Sequence, residues 1–139
     1  MSRASHSPID RTRQANALNA RSPHALKAIV RRARGWTCDV RAVALDDQSG
    51  KLHVPLLEKV DNGRGPSGRI AAGELIVHRV EEFLIEGATR RRWFELDGVA
   101  YEPETRRVSI GADGRSQFGI TVEDLDVTLR IRPQHRPRP

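Results

Sequence analysis

Hydrophobic and polar positions along the chain follow two different periods, with the change near residue 36. Between Ser22 and Gly35 the apolar residues Leu26, Ile29, Val30 and Ala33 recur at helical spacing, while Lys27, Arg31, Arg32 and Arg34 fall off that stripe. Ser22 can cap the first turn, Pro23 suits the first helical position, and Gly35 suits the residue just past the end, so one short helix is predicted over 22–35. From Trp36 the pattern alternates and is punctuated by turn signals at 46–50, 61–68, 87–89, 102–105 and 111–115. Six strands are predicted between these turns, near 37–45, 51–57, 74–85, 92–101, 107–111 and 117–131.

Four segments share an alternation that skips a step: Val40, Val43, Leu45; Val80, Phe83, Ile85; Leu96, Val99, Tyr101; and Val122, Leu125, Val127, Leu129. An extra residue inside an alternating strand turns the wrong side chain inward unless a bulge or bend absorbs it. The fold class expected is therefore all-β with one short N-terminal helix. It would be an antiparallel β-sandwich or a partly open barrel of about six bent strands, whose bends let strands pass from one sheet to another. Repeated helices of the kind a parallel sheet requires have no room in this pattern.

Charge changes the picture of the ends. Of the formal net charge of +6, residues 1–35 carry +7 and the residues after Asp126 carry +4, which leaves −5 from twelve bases and seventeen acids in the middle. A basic arm outside the fold is expected over 1–21, the basic helix over 22–35, an acidic β domain over 36–131 and a Pro/Arg tail over 132–139. The mean hydropathy of −0.57 agrees with part of the chain lying outside the core. Arg outnumbers Lys by 21 to 3, a usage typical of a GC-rich genome, so a bacterial origin is expected. A single cysteine, Cys38, allows no intrachain disulfide and fits a reducing compartment. With no run of about 18 apolar residues and no secretory apolar core, a soluble, cytoplasmic protein without a membrane span is expected.

Motifs with chemical meaning are few. Gly63 to Gly68 matches the glycine spacing of a dinucleotide-binding turn, but Gly73 to Val77 read as strand, so no helix N-terminus would face a phosphate. His53 and His78 lie on strands that could be neighbours, yet two ligands fall short of a zinc site. Cys38 has no adjacent cation and reads as a packed small side chain. Asp124 and Asp126 share a face by alternation, as on a solvated edge. No catalytic residue, metal site or cofactor is expected. Candidate binding residues are Glu81, Glu82 and Glu86 in one segment, and Arg90, Arg91, Arg92 and Trp93, which could offer cations and an aromatic ring.

The spacing of apolar residues from Cys38 to Leu129 resembles that of small bacterial all-β proteins, some associated with toxin immunity. That resemblance implies a role in protein binding. The expectation is a non-enzymatic interaction module, immunity-like in type, whose acidic β domain meets another, basic protein. Two alternatives stand beside it: nucleic-acid binding through the basic arms, and an enzyme on a β scaffold. The sequence leaves the oligomeric state open.

Overall fold

The computed structural model describes residues 16–60, 68–86, 92–112 and 114–133, and two antiparallel sheets account for most of them. The strands are β1 (Ala17–Ala20), β2 (Thr37–Asp39), β3 (Ala44–Asp46), β4 (Lys51–Val60), β5 (Gly68–Val77) and β6 (Val80–Ile85). They continue with β7 (Trp93–Glu95), β8 (Gly98–Glu102), β9 (Arg107–Ala112), β10 (Arg115–Val122) and β11 (Val127–Ile131). The larger sheet has the order β1-β11-β5-β4-β2-β7, with β3 also paired to β4; the smaller has the order β6-β10-β9-β8. The architecture is an all-β sandwich that does not close into a barrel.

Each skipped step in the alternation marks a place where the chain leaves one ladder. Val40–Ala42 forms a single 3-10 turn that separates β2 from β3, both of which pair with β4. Residues 78–79 carry the chain from β5 in the larger sheet to β6 in the smaller, and β6 then bulges at Glu81, because Val80 pairs with Val122 while Glu82 pairs with Thr121. Residues 96–97 lead from β7 to β8 and residues 123–126 lead from β10 back to β11, each passing between the sheets. The six bent strands thus divide into ten shorter ones, which wrap both layers around one core.

That core is built from the inward residues of both sheets. Leu52, Val54, Leu75, Val77 and Leu129 come from the larger sheet, and Val108, Ile110, Phe118 and Ile120 from the smaller; all are fully buried. Phe118 sits edge-on to both Phe83 and Phe94, at centroid distances of 5.4 and 5.5 Å. Such pairs contribute about 0.5–1.5 kcal/mol each beyond their area. Glycine is needed at Gly73, where a Cβ would press into the Arg130 carbonyl oxygen and lie 3.2 Å from the Trp36 ring.

Helix α1 (Pro23–Ala33) forms where expected, with the Ser22 hydroxyl accepting from the Ala25 N–H at 3.1 Å and Gly35 at φ +89° just beyond the end. It buries Leu26, Ile29 and Ala33, so its apolar face docks on the sandwich beside β1 and β8. The expectation that residues 1–21 lie outside the fold needs correction at its end: Ala17–Ala20 forms edge strand β1, paired in register with Val127 to Arg130. Alternation is hard to see in four residues of which two are alanine, but Leu18 packs on the core and Ala20 is fully buried. Residues 1–15 and 134–139 are outside the described residues, as is the glycine-rich segment 61–67 between β4 and β5.

Candidate functional site

Strand β6 is an edge of the smaller sheet, and it carries the candidate carboxylates Glu81 and Glu82, with Glu86 just past its end. The Glu86 N–H donates to the Gln117 carbonyl at 2.9 Å, and Leu84 and Glu82 pair with Gly119 and Thr121 in the same register. By the alternation of an antiparallel ladder, residues 82, 84 and 86 bond inward to β10, so the N–H and C=O groups of Phe83 and Ile85 point away from the sheet. Leu84 and Ile85, which carry no chemical signal in the sequence, are each 47% exposed. An edge that combines outward backbone groups with two uncovered aliphatic side chains is suited to receiving another strand.

The carboxylates are less available than their number suggests. Glu81 pairs with Arg106 at 3.4 Å; Glu86 pairs with Arg107 and also accepts from the Ser116 hydroxyl at 2.7 Å. Glu82 is exposed and has no ion pair among the described residues. The cross-strand arginines could not be placed from sequence, because they belong to the turn and strand after β8 and reach β6 across β10.

Arg92, just before β7, and Trp93, its first residue, form a separate cluster at the far edge of the other sheet, and Arg90 and Arg91 lie outside the described residues. Arg92 grips Asp39 through both Nε and Nη2, each at 3.1 Å, and its guanidinium lies 4.5 Å from the Trp93 ring centre. Arg69 lies against the same ring at 4.6 Å. The two-point hydrogen bond from Arg92 holds the Asp39 carboxyl below the usual carboxylate range, and the same bond raises Arg92. Of the adjacent aromatics, Phe94 is buried and Trp93 faces outward, half-buried beneath these cations. The candidate binding residues therefore fall into two groups on different sheets.

Other motifs resolve into local structure. His53 bonds Glu74 at 3.1 Å and His78 bonds Thr128 at 2.9 Å, so each histidine is engaged by a different neighbour. Burial pushes His78 below its usual value. No group of three potential metal ligands occurs among the described residues. Cys38 is fully buried between its register partners Leu56 and Phe94, and burial pushes its thiol up to about 12. Asp124 and Asp126 do not share a solvated strand face, because residues 123–126 cross between sheets rather than continue β10. Asp124 is exposed beside Arg79 at 3.1 Å, whereas Asp126 is buried beneath β1 and accepts from the Asn19 amide at 2.8 Å. No described helix is long and apolar enough to cross a membrane. Comparison with known proteins finds no matching family model, no matching curated protein and no matching solved structure.

Proposed function

We propose that the chain is a non-enzymatic protein-binding module, whose working surface is the free edge of β6, where an extended and basic segment of a partner adds as a further strand. The observation that carries this reading is the exposed pair Leu84 and Ile85 on an edge that no strand pairs among the described residues. Main-chain bonds to Phe83 and Ile85 would supply affinity, and alternate side chains of the incoming strand would contact Leu84 on one face and Ile85 on the other. Glu82, which has no ion pair among the described residues, favours a cation opposite it, whereas Glu81 and Glu86 are already paired with Arg106 and Arg107.

The test uses synthetic extended peptides that alternate Val or Ile with Lys, acidic counterparts of the same length, and amide NMR shifts on the labelled protein. Basic peptides should shift Phe83, Leu84 and Ile85, and Ile85→Pro should abolish the effect. That substitution removes an outward N–H and the exposed Ile85 side chain while leaving the inward bonds to β10 in place, which an edge strand tolerates. Binding elsewhere, or binding that survives Ile85→Pro, would refute the proposal.

A second reading, nucleic-acid binding through the basic ends, is favoured by one observation. The Ile131 N–H donates to the Asn16 carbonyl at 2.7 Å, so the two basic stretches of sequence meet the fold at neighbouring points, beside exposed Arg130 and Arg132. Affinity for mixed DNA and RNA fragments should then fall steeply with salt, and Arg130→Glu with Arg132→Glu should flatten that slope by about two phosphate contacts.

A further inference from the structure

Between α1 and the smaller sheet runs a groove of about 770 Å³, lined by residues outside both groups of candidate binding residues. One wall is the polar side of α1, where Lys27, Arg31 and Arg34 stand at i, i+4 and i+7. At 1.5 Å per residue this row of cations is about 10 Å long. Facing it are β8, β9 and the start of β10, which contribute Tyr101, Ser109 and a fourth cation, Arg115.

None of these four cations has an ion-pair partner among the described residues. The single carboxylate in the lining, Asp97, accepts from the Gly114 N–H at 3.3 Å and holds that turn. The groove thus concentrates a net charge of +3. Arg31 and Arg34 complement the C-terminal end of the helix dipole, but that effect fades within the last turn and does not account for Lys27 or Arg115. Arg32, by contrast, is used structurally, with its guanidinium 5.2 Å from the Trp36 ring centre. Between the charged rows the floor is apolar, formed by Leu26, Val30 and Val99.

We propose that this groove binds a small phosphate ester of about nucleoside-phosphate size. Guanidinium groups from two walls match phosphate oxygens in paired hydrogen bonds, which favours phosphate over a lone carboxylate. The Tyr101 ring with Val30 and Val99 gives the organic part an apolar place, and the volume falls within the usual range of about 300–1,000 Å³ for small-molecule sites. A nucleic-acid strand would call for a succession of stacking rings, and among the described residues Tyr101 is the only aromatic ring in the lining. This site is independent of the β6 edge, so either proposal can fail without the other.

Titration calorimetry of the full chain at fixed ionic strength, with ATP, inorganic pyrophosphate and a twelve-residue oligothymidylate as separate probes, tests it. ATP should bind one to one and more tightly than pyrophosphate. Arg31→Glu and Arg115→Glu, on different elements, should each weaken ATP by at least about tenfold, the loss expected for a charge-assisted bond. Arg41→Glu, exposed and outside the groove, should leave it unchanged. Absence of ATP binding, indifference to Arg115→Glu, or equal affinity for pyrophosphate would overturn the proposal. Tighter binding of the oligothymidylate with the same sensitivity to Arg115→Glu would also overturn it, and would make the groove a nucleic-acid surface.

Discussion

Replacing Asn19 with alanine tests whether β1 belongs to the cooperative fold. The Asn19 amide donates to the Asp126 carboxylate at 2.8 Å, to the Thr128 hydroxyl at 2.9 Å and to the Val127 carbonyl at 3.2 Å. The Asp126 side chain is only 12% exposed, and its remaining charged neighbour, Arg21, stands 3.8 Å away and is largely in solvent. Losing a bond to an ionised group costs about 1.5–3 kcal/mol when water cannot replace it, and the two neutral contacts add less. Asn19 itself is exposed, so water recovers part of that loss, and a net destabilisation of about 1–2 kcal/mol is expected. In urea this moves the unfolding midpoint down by roughly 0.5–1 M, at a slope of about 2 kcal/mol/M. Trp36, buried against α1 and the larger sheet, provides the fluorescence signal. Asn19→Asp should be worse, since it sets a second carboxylate against Asp126. A midpoint unchanged in both variants would mean that β1 is detached in solution and that Asp126 is satisfied without it.

Burial and charge lead to two further outcomes. Cys38, with its thiol pushed up to about 12 and no exposed surface, should resist alkylation at pH 8 in the native protein and react only as fast as the fold opens, whereas rapid labelling would contradict its placement. Stability should decline in two steps on acidification. His78 is held below its usual value, so the unfolded chain takes up a proton first, and stability falls from about pH 6.5 downward; Asp39 and Asp46 are also held low, and their contribution is lost as pH drops below about 4. Denaturant midpoints across pH should show both steps, and His78→Gln should remove the upper one alone.

Much of the fold was legible because its signals are local. The cap at Ser22, the left-handed glycine at Gly35 and the change of period at Trp36 each depend on neighbours within a few residues. The skipped alternations at residues 40–43, 80–83, 96–99 and 122–125 likewise registered where the chain departs from a regular ladder. Whether such a step becomes a bulge, a 3-10 turn or a passage between sheets depends on which strand lies alongside, and only the tertiary structure decides that. Strand β1 escaped notice because four residues with one large apolar side chain, Leu18, become a strand only when β11 is there to pair with them.

Charge shows the same division. The sequence by itself determined that the middle of the chain is acidic and that its ends are basic. It did not determine that Arg106 and Arg107 neutralise Glu81 and Glu86, that Arg92 holds Asp39 low, or that Lys27, Arg31, Arg34 and Arg115 face one groove without carboxylate partners among the described residues. Strand register and helix docking bring these groups together from distant parts of the chain, and Coulomb interactions depend on distance in space rather than along the sequence.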